Sequence, residues 1–201
     1  MEKKLTPRQI KAQETKQKLY DKALELFSKN GYCAVTIDDI CAKANSSKGA
    51  FYFHFSSKHD ILVTQVSKTD IEYKNFYENL ESGLTGKEKL KAFVEFIIQH
   101  ISNKGWDIEW VLYVAELAGR HRPRYITNKD RNFYICLERI IKEGQADGTL
   151  RNDMSEKEII EVLTSNIRGM IFNWVISNGE YAITDLTPFM VKFIIAGLEN
   201  K

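Results

Sequence analysis

Residues 36–60, TIDDICAKANSSKGAFYFHFSSKHD, constrain the fold more than any other stretch of the chain. They predict two short helices joined by a tight turn, with a third helix starting behind them. Thr36 suits the N-cap of the first helix, because its hydroxyl can accept from the first-turn amides. Asp38 and Asp39 place negative charge at the positive end of that helix. Ile37, Ile40, Cys41 and Ala44 recur at i, i+3, i+4 and i+7, which makes one apolar stripe. Asn45 tolerates left-handed backbone and ends the helix. Ser46 or Ser47 caps the next one, Lys48 to His54. Phe51 and Phe55 are four apart and anchor it, leaving Tyr52, His54 and Lys58 outside or at the rim. Gly49 and Ala50 are small enough for another surface to approach closely.

A helix, a short turn and a second helix is the arrangement that sets the second helix into the major groove of DNA. The stretch also resembles the DNA-binding segment of TetR-family transcriptional regulators. Their pattern is roughly IA..AGVSKGTFY.HF.SK..L, and here it stands as IDDICAKANSSKGAFYFHFSSKHDIL. Small, aromatic, His and Lys positions match together, and the resemblance extends more loosely to the whole chain through length and helical plan. Three positions depart from it. Asn45 replaces the usual Gly, Ser46 an apolar residue, and Ala50 a Thr that offers one phosphate contact.

The resemblance implies a DNA interface in or beside Thr36, Ser46, Ser47, Lys48, Gly49, Tyr52, His54 and Lys58. The chemistry agrees: Lys48 can reach guanine edges or phosphate, and Tyr52 offers phosphate a hydroxyl on a rigid ring. Lys58 brings charge to the N-terminal amides of the following helix. The plainer alternatives are local packing of Tyr52, a solvated Lys58, and a His54 ring bonded to a backbone carbonyl.

At 201 residues, the chain is near the size of one large or two small domains. Its Lys and Arg are unevenly placed. Residues 1–60 carry eleven against seven Asp and Glu, and the remainder eighteen against twenty. A basic end and a near-neutral body suit a protein that meets DNA at one end. Cys33, Cys41 and Cys136 are odd in number and widely spaced, so neither a disulfide framework nor a zinc site is expected. His54, His59, His100 and His121 have no metal-ligand spacing. Nucleophile-elbow, zincin, P-loop and dinucleotide motifs are missing, so neither an enzyme nor a cofactor is expected. MEKKLTPRQIKAQ lacks the apolar core of a signal peptide, and no uninterrupted apolar run reaches membrane-spanning length. A cytoplasmic protein with no membrane partner is the expectation.

Helical periodicity covers the rest of the chain. Met1 to Leu5 reads as loose. A helix over 8–30 carries Ile10, Leu19, Ala23, Leu24, Leu26 and Phe27 on one side, with Lys11, Lys16, Lys18 and Lys22 opposite, solvated or grazing DNA. Further helices are expected over 57–81, 86–102 and 106–118, the last ended by Gly119 to Pro123. Another starts at Arg124 or Thr127 and runs to Ala146. Ser155 and Glu158 form a capping-box pair opening a helix to Ser177, and a final helix spans about 185–199. The expected fold is all-α with about nine helices: an N-terminal three-helix helix-turn-helix head over 1–56 and a helical ligand-binding and dimerisation body over 57–201.

TetR-like bodies enclose a ligand, so the resemblance points to Phe76, Phe93, Trp110, Tyr113, Glu116, Asn166, Met170 and Trp174 as a candidate lining; core packing is the alternative for each. Polar residues on apolar helices stand out, since burying them unpartnered is costly. Glu109, Glu116, Asn166, Arg168 and Asn173 are of this kind. Glu116 can meet a cation, or can pair with Arg168 or Arg120. The helix over 155–177 is apolar nearly all round and needs burial on more than one side. With the last helix it resembles the family's two-fold interface, which implies Leu163, Ile167, Ile171, Phe189, Phe193 and Leu198 as dimer contacts. The expected function is that of a dimeric repressor that binds double-stranded operator DNA. A mostly apolar small-molecule inducer, with a cationic head as one option, would release it. The alternative is a helical small-molecule-binding or scaffold protein with an inactive head.

Overall fold

The computed structural model describes residues 6–118 and 125–200. Among them there is no strand, only one isolated bridge between Leu150 and Glu199. Nine helices follow in order: α1 (Pro7–Asn30), α2 (Ile37–Lys43), α3 (Lys48–His54), α4 (Lys58–Glu78), α5 (Gly86–Lys104), α6 (Trp106–Ala118), α7 (Asn132–Ala146), α8 (Glu156–Ile176) and α9 (Ile183–Leu198). Met1 to Leu5, the helix stop at Gly119 to Pro123, Arg120, His121 and Arg124 lie outside the described residues.

Capping accounts for most of the boundaries. Thr6, Thr36, Thr85 and Ser155 each close a capping box three residues downstream, with Gln9, Asp39, Glu88 and Glu158. Gly31, Asn178 and Gly179 take left-handed backbone at the ends of α1 and α8.

The start of α7 departs from expectation, at Asn132 rather than Arg124 or Thr127. One local and one long-range interaction set it. The Asn128 side chain accepts from the Asp130 amide and holds a turn there. Asp70 of α4 then supplies the cap from outside, accepting from the Asn132 and Phe133 amides at 2.7 and 3.2 Å. Its carboxylate also pairs with Arg131 at 3.2 Å. A cap delivered by another helix leaves no mark in the local sequence.

Two compact units result. In described residues, one holds 6–66 with 111–118, and the other 67–110 with 125–200. In the first, α1, α2 and α3 pack around Leu19, Ala23, Phe27, Val35, Ile40, Phe51 and Phe55, all nearly inaccessible. Each of these side chains larger than Ala23 contributes about 1.5–3 kcal/mol by leaving water. Ile10 lies outside that core, exposed on the first turns of α1.

In the second unit, α5 packs on both α7 and α9, and α7 and α9 each pack on α8. Leu90, Phe93, Val94, Ile97, Ile98 and Ile101 bury a wide stripe of α5. The backbone of Gly144 in α7 lies so close to Gly86 that a Cβ there would overlap it. The same junction is tied by Asp147, which accepts from the Gly86 amide at 2.7 Å.

Candidate functional site

The turn between α2 and α3 closes on the backbone. Asn45 adopts φ 47°, its amide reaches the Ala42 carbonyl, and the Ser46 amide reaches Cys41. That pair of bonds is the Schellman arrangement, with Asn in the left-handed position. Ser47, rather than Ser46, caps α3 by accepting from the Ala50 amide at 3.1 Å. Phe51 and Phe55 fix the helix from below, each about fully buried.

What remains outside is a polar and aromatic face. Ser47, Lys48 and Gly49 are exposed at its start, and Tyr52 and Phe53 stand 57% and 78% exposed further along. Lys48 pairs with Asp38 at 2.8 Å, which raises its pKa, but both side chains are mostly in water. Such a surface pair exchanges readily for another anion. Among the described residues, setting aside its chain neighbours and its own helix backbone, the only atom within 4 Å of a Cβ added at Gly49 is the Ser47 Oγ, at 3.8 Å. No internal packing therefore requires a glycine there. His54 is half-buried with its ring against Phe53. Burial first, and Lys16 second, hold its pKa below the ordinary value, so the ring is neutral at neutral pH.

Two residues expected at DNA are occupied within the chain. The Thr36 hydroxyl is engaged with Asp39 in its capping box. Its hydroxyl and amide, in that order, hold the Asp39 carboxyl below its usual range. Lys58 is engaged within the chain more extensively. Its ammonium donates to the carbonyls of Tyr32 at 2.7 Å, Val35 at 2.8 Å and Cys33 at 3.3 Å. It also sits 4.6 Å above the Tyr32 ring. Lys58 thus clamps the connection between α1 and α2 to the start of α4 and is a positioning residue. Phe53 was passed over in the sequence. It lies two residues from both Phe51 and Phe55, about 200° around the helix from each, and that spacing alone turns it to the solvent side.

In the second unit, rings meet in a chain: Tyr73 with Phe93, Phe96, His100 and Phe133, and Phe76 stacked on Phe96 at 4.0 Å. Of the candidate ligand residues, Phe76 and Phe93 come together, with centroids 6.2 Å apart. Trp110 and Met170 are half-buried. Trp174 is buried and gives its indole N–H to the Tyr181 carbonyl at 2.9 Å. Tyr113 and Glu116, both half-buried, fall in the stretch of α6 that belongs to the first unit. Asn166 is exposed on α8 with its amide returned to the Val162 carbonyl, so it lies on an outer face rather than in an interior lining. Arg168 donates to the Tyr134 hydroxyl and the Ile126 carbonyl, tying down the segment before α7. The carboxyl whose surroundings perturb it most is Glu109. Burial pushes it up to about 7 against the opposing pull of Lys104 and Arg131. Lys104 in turn is lowered, mainly by burial, and donates to the Thr69 hydroxyl.

The expected dimer set divides between the interior and the outer faces of α8 and α9. Leu163, Ile167 and Ile171 are buried inside the chain's own core. The side left open carries Val162, Phe172 and Ile176, and on α9 Leu186, Phe189 and Phe193, the last two 72% and 75% exposed. Leu198 is half-buried at one end, lining a groove of about 240 Å³ with Val162, Asn166 and Phe193. α8 is long and apolar enough by length and composition to cross a membrane, and less than half of that window is buried. Apolar burial inside the chain and an open apolar face outside account for this composition together.

Fold and head together define a helix-turn-helix DNA-binding protein with a separate helical body. A model described as bacterial regulatory proteins, tetR family, matches residues 19–64, and one described as tetracyclin repressor-like, C-terminal domain, matches 83–198. The chain belongs to the TetR family. It is accordingly a DNA-binding transcriptional repressor regulated by a small-molecule ligand, and the family is generally non-enzymatic.

Two relatives span about nine-tenths of the chain at low identity. The fatty acid metabolism regulator protein of Bacillus subtilis is 22% identical over 91% of this chain and 95% of its own length. The repressor DhaR of Mycobacterium sp. is 23% identical over 92% and 94%. Among solved structures, Bacillus subtilis FadR in complex with stearoyl-CoA superposes with a TM-score of 0.76 at 19% identity, covering 90% of this chain and 98% of that one. A regulator from Saccharomonospora viridis in complex with choline gives 0.70 at 20% identity, covering 94% and 100%.

Proposed function

We propose that residues 1–56 read an operator as one half of a two-fold dimer, and that residues 57–201 hold the inducer and the dimer contacts. The observation that carries this is the face of α3. Phe51 and Phe55 turn the helix's apolar anchors inward, while Ser47, Lys48, Gly49, Tyr52 and Phe53 are exposed together. Lys48 and Tyr52 are suited to guanine edges and phosphate, and Phe53 to the thymine methyl group. The open face of Val162, Phe172, Ile176, Leu186, Phe189 and Phe193 is the dimer surface, too apolar to stay in water as one patch. The protein works in the cytoplasm, where its operator is.

The inducer is a mostly apolar amphiphile. Support comes from the ring-lined interior of the second unit and from the acyl-CoA complexes of the FadR relatives, with stearoyl-CoA in one and lauroyl-CoA in that of Thermus thermophilus. A cationic head is the second reading. It is favoured by Glu109, a carboxyl held close to its titration point, and by the choline complex of another relative.

Selection of bound DNA fragments, followed by titration with acyl thioesters and with alkylammonium compounds, tests the proposal. A palindromic site should emerge, and one of the two ligand classes should lower its affinity about 5–150-fold, the usual range of coupling between sites. Unchanged operator affinity with both classes at saturation would remove the ligand assignment. Failure to select any site would remove the operator role of α3.

A further inference from the structure

A groove of about 470 Å³ opens between the end of α4, the middle of α5 and the first turns of α9. One wall is aromatic, the Phe76 and Phe96 rings lying parallel within 9°. Each polar side chain around it can accept a hydrogen bond. Glu95 and Gln99, one helical turn apart on α5, stand exposed at the rim. Glu95 has no ion pair among the described residues. Gln99 already gives its amide N–H to Asn103 at 2.9 Å, which leaves its carbonyl for the groove. On the α9 side, Thr187 is only 7% exposed, and its hydroxyl is buried with no hydrogen-bond partner among the described residues. A buried hydroxyl left unmatched costs about 1–3 kcal/mol. Beside it, Pro188 has no N–H to give the Thr184 carbonyl one turn back.

We infer that this groove is a binding site for a primary ammonium amphiphile. Its aromatic or alkyl body lies on the Phe76–Phe96 stack, and its N–H donors meet the Glu95 carboxylate and the orphan Thr187 hydroxyl. A cation over aromatic faces adds to the pairing. Anions are disfavoured, because Glu95 is the charged group of the lining. The site is separate from the dimer surface. At 100° per residue, Thr184 and Pro188 lie well over 100° around α9 from the mean direction of Leu186, Phe189 and Phe193. It is also separate from Glu109, which does not line it, so the inference stands whether or not the proposed inducer is right.

The test is calorimetric titration of the full-length protein with 2-phenylethylammonium and with its N,N,N-trimethyl analogue, which keeps charge and ring but has no N–H. The primary amine is expected to bind at least about tenfold more tightly, the loss of charge-assisted hydrogen bonds being worth that much. Glu95→Gln and Thr187→Val should each weaken the primary amine about five- to tenfold. Thr187→Val keeps side-chain volume, and a circular-dichroism melt verifies that both variants are folded. Equal binding of the two compounds would overturn the inference, as would binding that survives Glu95→Gln and Thr187→Val but is lost in Glu109→Gln.

Discussion

Lys58 offers the sharpest separation between an internal and a DNA-facing role. In Lys58→Met the stem is kept and the ammonium removed, so the Tyr32 and Val35 carbonyls lose donors at 2.7 and 2.8 Å, and Cys33 a weaker one at 3.3 Å. Charge-assisted bonds contribute about 1.5–3 kcal/mol each when shielded. The site is only part-buried, so solvent can re-hydrate some of the loss, and roughly half of the two short bonds is a fair sum. That makes a destabilisation of about 2 kcal/mol. For a chain of this size, each kcal/mol moves the melting midpoint by about 2–4 °C. The expected drop is therefore about 4–8 °C, read by differential scanning calorimetry.

The second readout is the slope of log affinity against log salt on a selected operator. A lysine bound to phosphate releases a counterion, and its removal lowers the slope by about 0.9. Lys48→Ala should do this, since Lys48 is exposed and free to leave Asp38. Lys58→Met should weaken operator binding through a less ordered head while leaving the slope unchanged. A Lys58→Met protein with wild-type melting and a slope reduced by about 0.9 would refute the internal role and restore the phosphate contact.

Three other outcomes are expected. Phe193→Asp places a charge in the middle of the open α8–α9 face, and light scattering should return a mass near the 23.3 kDa of one chain, where the wild type returns twice that; a dimeric variant would place the interface elsewhere. Phe53→Ala should alter which bases are selected, chiefly at thymine positions, while Tyr52→Phe should lower affinity for all sites by about 1 kcal/mol; an unchanged selected motif would take Phe53 out of the base contacts. The Glu109 carboxyl is raised from 4.5 to about 7 in the folded chain, so the native state binds more protons than the unfolded one between those values, and its contribution to stability is complete below about 4.5 and lost as pH rises through about 7; Glu109→Gln should flatten that part of the denaturation-against-pH curve, and an identical curve would show that Glu109 does not titrate there.

Short-range chemistry made much of this protein legible from its residues. Capping pairs such as Thr36 with Asp39 and Ser155 with Glu158, and stops such as Asn30-Gly31 and Asn178-Gly179, act within one helical turn, so neighbours in sequence are enough to recognise them. The helix-turn-helix is legible for the same reason: its cap, its left-handed Asn45 and its Phe51–Phe55 anchor all lie within some twenty residues.

What the sequence by itself could not decide is which partner each long-range polar group meets and which side of an apolar helix is covered. Lys58 reads as a free cation until the fold brings carbonyls from 23 to 26 residues away onto it. Asp70 is an ordinary acid until α7 places its first amides on it from more than sixty residues away. α8 is apolar on both sides, so periodicity could not separate Leu163, Ile167 and Ile171, which the chain itself buries, from Val162, Phe172 and Ile176, which stay open. Hydrophobicity is a property of the residue, and burial is a property of the neighbour that tertiary packing supplies.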